Sequence, residues 1–272
     1  GDVGEQLHLF ALDLARKKVW QAKNGACWKD PYPGSRASVV YSSGRIYHEN
    51  AHGRVGCWDA ATGQEIWAVD LLEQFGGKNI TWGLSECVLV DDKAVYATAG
   101  GSQALAVALD KATGAVLWKS EPLHDSEGEK AVENASYVSP VLVRFAGRRL
   151  MIGCTQRHLY CVDADSGALQ WTRRMPTTYA VIASMPVLVG DAVFATAPHG
   201  RDGKMFRMTA PGAPGQKIGV EEVWTSPLDT CQGCVIHAEG KLLGSFYPGR
   251  KGWAAVDPKT GRVLYTRPDL VK

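Results

Sequence analysis

Apolar and polar positions alternate along this chain in short runs, the period-2 signature of half-buried β-strands. The clearest are "HLFAL", "RVGCW", "LAVAL", "HLYCV" and "GWAAV", and each leads into a second run that ends on an aromatic ring. With their turns, the copies read "DAATGQEIW" from Asp59 to Trp67, "DKATGAVLW" from Asp110 to Trp118, "DADSGALQW" from Asp163 to Trp171 and "DPKTGRVLY" from Asp257 to Tyr265. A shorter copy, "DLARKKVW", runs from Asp13 to Trp20, and a worn one keeps only "VEEVW", ending at Trp224. Asp bonds its own downstream backbone and Gly takes positive φ without penalty, so Asp-x-x-Thr-Gly between two alternating runs predicts a hairpin. Upstream of the hairpins lie two more short runs, such as "ASVVY" and "RIYHE", or "PVLVRF" and "RLMIGC". The unit is therefore four antiparallel strands.

The closing aromatics Trp20, Trp67, Trp118, Trp171, Trp224 and Tyr265 fall 47, 51, 53, 53 and 41 residues apart, the spacing of an array whose unit is one small sheet. A four-stranded sheet cannot bury both faces alone; radial stacking, the β-propeller solution, buries them. The expected fold class is all-β, a β-propeller of four-stranded antiparallel blades. Predicted blades span 7–22 (an outer half), 36–70, 84–119, 137–173, 182–225 and 232–267 of a single domain, 1–272: about five complete blades plus a half blade. The first unit shows only its outer two strands and little chain follows the last, so strand counting predicts part of a seven- or eight-bladed ring. The six aromatics are expected to be structural docking residues, since an indole wedged between blades buries on the order of 200 Å². Two places before the motif Asp stands a small residue, Ala11, Cys57, Ala108, Cys161 or Ala255, that leaves room for the ring.

The pattern Ala-x-Asp-x-x-Thr-Gly-x-x-x-Trp resembles the quinoprotein-type (PQQ-like) β-propeller repeat with its tryptophan-docking motif. That superfamily includes PQQ-dependent alcohol dehydrogenases and the BamB-type lipoproteins of outer-membrane barrel assembly. The run from "GQEIWAVDLLEQFGGKNITWG" through "ALDKATGAVLWKSE" is similar to the PQQ-like repeat proteins of planctomycete-type bacteria. The resemblance covers nearly the whole chain and implies a bacterial, extracytoplasmic protein of the periplasm or cell envelope. It implies little about activity, because a propeller hosts unrelated functions. Quinoprotein dehydrogenases clamp PQQ between a Trp and a disulfide of adjacent cysteines, with Ca²⁺ on carboxylate and amide ligands. This chain has no Cys-Cys pair and no evident carboxylate cluster of that type. No cofactor is expected; PQQ with Ca²⁺ enters only under a dehydrogenase alternative.

Composition narrows the field further. With 45% hydrophobic and 21% charged residues the chain can bury a substantial core. Its net charge of +2 makes no electrostatic case for nucleic acid or an anionic membrane, and no apolar run reaches the length of a membrane span. Of the seven cysteines, Cys57 and Cys161 take the small docking position, while Cys87 and Cys234 stand where innermost strands begin and are expected to be buried space-fillers. Cys231-Gln-Gly-Cys234 is a C-x-x-C with no second pair or following His, and its disulfide state is left open. Asp163-Ala-Asp165 reads as a repeat turn rather than a calcium loop. The acid-rich stretch from Asp125 to Glu133 reads as a solvated loop, and His199, Arg201 and Lys204 are expected on an irregular loop. No Gly-x-Ser-x-Gly elbow, His-Glu-x-x-His helix or phosphate loop occurs, so no catalytic or metal-ligating residue is assigned.

The leading expectation is a non-catalytic binding or assembly scaffold that offers its axial face to a protein, peptide or glycan. The alternative is a quinoprotein alcohol or sugar dehydrogenase-like oxidoreductase. Loops entering the innermost strands open onto the axial face, which makes the insertion "LLEQFGGKNITWGLSE" a better candidate than any docking Trp. The contact residues expected there are Arg36, Trp82, Glu86, Tyr137, Tyr179 and Gln232. The same six would serve equally to close the central funnel.

Overall fold

A computed structural model describes residues 1–29, 31–125 and 131–270; part of the acid-rich stretch, 126–130, lies outside the described residues. The chain divides into two compact units, Gly1–Ser139 and Pro140–Lys272. The first holds β1 (Asp2–Val3), β2 (Gln6–Leu12) and β3 (Lys18–Ala26) in one sheet, then β4 (Val40–Ser42), β5 (Arg45–Glu49), β6 (Arg54–Asp59) and β7 (Glu65–Asp70) in a second. A single helical turn, α1 (Leu71–Phe75), leads to the third sheet: β8 (Leu89–Val90), β9 (Ala94–Thr98), β10 (Ala106–Asp110) and β11 (Val116–Lys119). The second unit holds β12 (Val141–Phe145), β13 (Arg148–Cys154), β14 (His158–Asp163) and β15 (Leu169–Arg174). It continues with β16 (Val187–Val189), β17 (Ala192–Thr196), β18 (Gly203–Thr209) and β19 (Gly219–Ser226), then β20 (Ile236–Ala238), β21 (Lys241–Ser245), β22 (Trp253–Val256) and β23 (Val263–Arg267). Every sheet pairs sequence neighbours antiparallel, five of four strands and the first of three. The fold is the all-β propeller type, made of four-stranded antiparallel blades.

The hairpin motif does two jobs at once. Asp59 Oδ1 accepts from the N–H groups of Ala61 (3.0 Å) and Thr62 (2.8 Å) and from the Thr62 hydroxyl (2.8 Å), closing the turn on itself. Asp110 and Asp163 repeat the arrangement, which identifies Asp163-Ala-Asp165 as a turn; Asp165 itself pairs with Arg149 at 2.6 Å. The turn's glycine then serves the preceding blade. A Cβ on Gly114, whose φ is +76°, would lie 2.8 Å from the Trp67 ring, and Trp67 Nε1 donates to Lys111 O at 3.2 Å. Trp20 sits likewise on Gly63 and donates to Ala60 O at 2.9 Å, and Trp224 on Gly261, donating to Pro258 O at 3.2 Å. Across each outer hairpin the aromatic pairs with Ala11, Cys57, Ala108, Cys161 or Ala255, with Met205 in the worn unit. In all six the register slips by a β-bulge at that residue, which twists the strand where the ring must fit.

Several expectations are corrected by the strands themselves. The first sheet has a third strand, β1, too short and polar to leave a sequence signal. The insertion after β7 starts as a helix because Asp70 caps it, accepting from Glu73 N at 3.0 Å, while Gly76 ends it in the left-handed region. Lys204 lies in β18, not on a loop, and pairs with Glu222 at 2.8 Å. Cys87 and Cys234 precede β8 and β20 and are half-buried rather than buried. Among the described residues no helix is long and apolar enough to cross a membrane.

Candidate functional site

Of the residues singled out from the sequence, Arg36, Trp82, Glu86 and Tyr137 lie in the first unit, and Tyr179 and Gln232 in the second. In Gly1–Ser139, Trp82 is half-buried on the connection between α1 and β8. Arg36 reaches it from the segment between β3 and β4: Nε donates to Trp82 O at 2.8 Å, and the other guanidinium N–H groups to Gly34 O (3.3 Å), Pro31 O (3.0 Å) and Tyr32 O. Its Cζ also lies 5.7 Å from the centre of the Trp28 ring. Arg36 thus spends its donors on the chain's own carbonyls and shapes the loop. The Trp82 ring packs against Tyr137 at 5.7 Å and 49°, and burial raises the Tyr137 hydroxyl above its ordinary pKa. The structure therefore brings Arg36, Trp82 and Tyr137 together.

Glu86 faces inward. It is 3% exposed, and its two carboxylate oxygens accept from Thr98 N at 3.1 and 3.2 Å. Close enough to feel its charge is Glu49, at the end of β5 and 1% exposed, neither of whose oxygens meets a hydrogen-bond donor among the described residues. Burial pushes Glu86 up to about 8 and drives Glu49 well above the ordinary carboxylate range, where the charges of Glu86, Cys87 and Asp70 add to the effect. Two buried carboxyls, each pushed toward its neutral form by burial, do not both ionise at neutral pH, so the pair holds a proton. On the neighbouring position, His48 takes the Asn24 amide on Nδ1 (2.8 Å) and faces Ala37 O with Nε2 (3.2 Å), an arrangement that suits a neutral ring; burial lowers its pKa to about 4.

Sequence reasoning missed Glu49, although an alignment of strands exposes it. Tyr47, Tyr96, Ile152, Phe194 and Leu243 each pair with the docking residue of their own sheet. Two residues further on come Glu49, Thr98, Cys154, Thr196 and Ser245. A carboxylate in a buried column of Thr, Cys and Ser was the available signal.

In Pro140–Lys272, Tyr179 is 75% exposed, and Gln232 is exposed within the C-x-x-C, where neither Cys231 nor Cys234 is in a disulfide. The Tyr179 ring meets His199 edge-on at 5.2 Å, and His199 meets Tyr247 likewise at 5.1 Å. Beside them opens a cavity of about 570 Å³ with His199, Asp202, Asp229 and Arg250 among its lining residues. In the first unit a cavity of about 520 Å³ lies by the hairpin turns, where Arg45 donates to Lys111 O and Ala112 O and Lys111 Nζ to Ser42 Oγ. Its walls hold one another.

The donor set does not fit PQQ and its Ca²⁺. No two cysteines are adjacent in the chain, and among the described residues no three His, Cys, Asp or Glu side chains gather as a metal site.

Comparison with known proteins gives a family. A family model described as outer membrane protein assembly factor BamB matches residues 8–267. The chain is 24% identical over 258 residues to the outer membrane protein assembly factor BamB of Yersinia pestis, covering 92% of this chain and 60% of that protein. To the factor of the same name from Burkholderia pseudomallei it is 26% identical over 148 residues, 54% of this chain and 32% of that one. The crystal structure of BamB from Moraxella catarrhalis superposes with a TM-score of 0.60 at 17% identity, covering 94% of this chain and 66% of the other. The Cps50 (Swd1) β-propeller domain of Myceliophteria thermophila gives 0.58 at 12% identity, 97% and 81%. At these identities the two structures speak for the fold alone. The chain spans less than two thirds of the length of the BamB proteins it matches.

Proposed function

Since this chain belongs to the family of the outer membrane protein assembly factor BamB, we propose that it is a protein-binding assembly scaffold working outside the cytoplasm and without a cofactor. One observation carries this reading: the Arg36–Trp82–Tyr137 cluster. Arg36 gives its hydrogen bonds to the chain and so fixes a half-buried aromatic pair on an inter-blade loop, apart from the docking indoles Trp20, Trp67, Trp118, Trp171 and Trp224. Rigid, partly exposed aromatic groups backed by satisfied polar groups are what protein-binding surfaces are built around. The names of the family's members, assembly factors of outer membrane proteins, agree with a protein partner.

Affinity capture from a bacterial envelope extract tests the proposal. The expected result is a reproducible partner that Trp82→Ala loses while the variant keeps its thermal midpoint. Capture indifferent to Trp82→Ala, or turnover of an alcohol with a dye acceptor once PQQ and Ca²⁺ are added, overturns it.

A further inference from the structure

Ten described residues other than glycine take a positive φ. Ser43, Ala146 and Glu239 follow from local turn geometry, since each stands before a glycine in a tight hairpin. Four others gather at one place in the second unit: Tyr179 (φ +61°) and Ala180 (+54°) between β15 and β16, and His199 (+66°) and Asp202 (+66°) between β17 and β18. Such backbone costs energy in a residue with a Cβ and persists where the surroundings hold it. Here Asp229, 4% exposed, accepts from Gly200 N at 2.8 Å on one oxygen and from Tyr247 N at 2.9 Å on the other. His199 N donates to Tyr247 O at 3.2 Å, and Arg201 Nε to the Thr178 hydroxyl at 2.8 Å, which ties the two strained segments together.

Two parts of this frame are left without use inside the chain. The first is the Tyr179 ring. Tyr179 follows Trp171 by eight residues as Trp28 follows Trp20, and each packs on a histidine, His199 or His52. Trp28 is half-buried, donates to Pro31 O at 2.9 Å and has the Arg36 guanidinium 5.7 Å from its ring. Tyr179 is 75% exposed, and its hydroxyl meets no partner among the described residues. The second is the lining of the cavity of about 570 Å³ beside His199. Asp202 and Arg250 are exposed on its walls with opposite charges, yet neither they nor the His199 ring nitrogens have a hydrogen-bond or ion-pair partner among the described residues. Arg250 lies instead 5.5 Å from the Phe246 ring. A Cβ on Gly200 or Gly249, which also line the cavity, would meet nothing within 4 Å, so the space between the charges is open.

We propose that this cavity and the Tyr179 ring form a binding site for a neutral oligosaccharide, with one sugar ring on the exposed face of Tyr179 and the next between Asp202 and Arg250. The mixed lining selects the class. An anion would meet the Asp202 charge, a cation the Arg250 charge, and an apolar group would strip water from both without replacing it. Ion pairs at positions this exposed contribute little by themselves. A sugar hydroxyl both donates and accepts, so neighbouring hydroxyls can serve the carboxylate, the guanidinium and the imidazole together through charge-assisted bonds. The C–H face of the sugar supplies the apolar surface that an exposed tyrosine ring packs against while its hydroxyl stays in water. The volume falls within the roughly 300–1,000 Å³ of ligand cavities. The inference goes beyond the protein-binding reading, because Arg36, Trp82 and Tyr137 lie in the other unit and take no part in it.

Free sugars serve as probes, so the test succeeds or fails independently of partner capture. Chitotriose, maltotriose and cellotriose are titrated into the full chain while tyrosine and histidine ring signals are followed by ¹H–¹³C NMR, with glycine and inorganic phosphate titrated in parallel as a zwitterion and an anion. The expected result is a saturable shift of the Tyr179 and His199 rings with at least one trisaccharide, with a dissociation constant on the order of millimolar. Tyr179→Ala, Asp202→Asn and Arg250→Ala, all at exposed positions, should each weaken binding about threefold to tenfold as read at His199. Leu14→Ala, on the fully exposed turn after β2, should leave it unchanged. No saturable shift with any of the three sugars, or full binding by a folded Tyr179→Ala or Arg250→Ala variant, overturns the proposal. A shift with glycine or phosphate and none with the sugars overturns it in favour of a charged ligand.

Discussion

Glu49 breaks the column of Thr, Cys and Ser that the other sheets keep at its position, and its cost depends on pH. In the unfolded chain both glutamates ionise in the ordinary carboxylate range; in the folded chain Glu86 holds its proton to about 8 and Glu49 is raised as well. The folded state therefore binds more protons across that window, and stability falls as pH rises through it. His48 works in the opposite sense lower down. Its folded pKa of about 4 lies below the unfolded value, so stability is lost as pH falls from about 6.5 toward 4. The two effects oppose each other between about pH 4.5 and 6.5, which leaves a visible decline above that range. Glu49→Thr installs the residue that Thr98 and Thr196 already place in this column. Urea unfolding from pH 5 to 9 should show the variant more stable at pH 8, with the alkaline slope reduced by about 1.4 kcal/mol per pH unit, one proton's worth. Equal slopes for variant and wild type would show that Glu49 is not a party to the titration.

At the scale of the element, the hairpin and the indole before it form one device, and the worn unit shows what happens when half of it is lost. Trp67 donates to Lys111 O on an intact turn. The unit after Trp171 lacks Asp-x-x-Thr-Gly, and Trp171 Nε1, although its residue is 6% exposed, meets no acceptor among the described residues. Replacing each indole by phenylalanine removes similar packing area but only one hydrogen bond. Trp67→Phe should therefore cost about 1 kcal/mol more than Trp171→Phe in chemical unfolding; the reverse order would mean that the turn carbonyl contributes nothing. This device was legible in the sequence because its parts have fixed spacing: Asp for the turn, Gly for positive φ and for the approaching ring, a small residue opposite the aromatic. What was illegible lacked a period. β1 is two residues long, α1 depends on a cap at Asp70, and the coming together of Arg36, Trp82 and Tyr137 depends on how three irregular segments meet. Glu86 drew notice as a charged residue on an inter-blade loop, yet facing Thr98 N inside the fold it is part of a buried pair, a distinction only the partner Glu49 reveals.

Across the whole molecule the seven cysteines report on whether these seams are closed. None is in a disulfide; Cys27, Cys57, Cys154, Cys161 and Cys231 are buried, and Cys87 and Cys234 half-buried. The thiolate is the reacting form, and burial raises the Cys154 and Cys161 thiols above their ordinary pKa, so exposure and ionisation act in the same direction. Cys57 and Cys161 also stand across their hairpins from Trp67 and Trp171, where a reagent enters only if the docking ring leaves. Native alkylation at pH 7, mapped by mass spectrometry, should label Cys87 and Cys234 quickly and the other five at the rate of local or global opening, while denaturant should release all seven. The two units carry separate reporters, Cys27 and Cys57 in the first and Cys154, Cys161 and Cys231 in the second, so the order of labelling under rising denaturant also shows which unit opens first. Rapid native labelling of Cys57 or Cys161 would mean that their indoles do not stay docked, and with that the sequence period would lose its physical explanation.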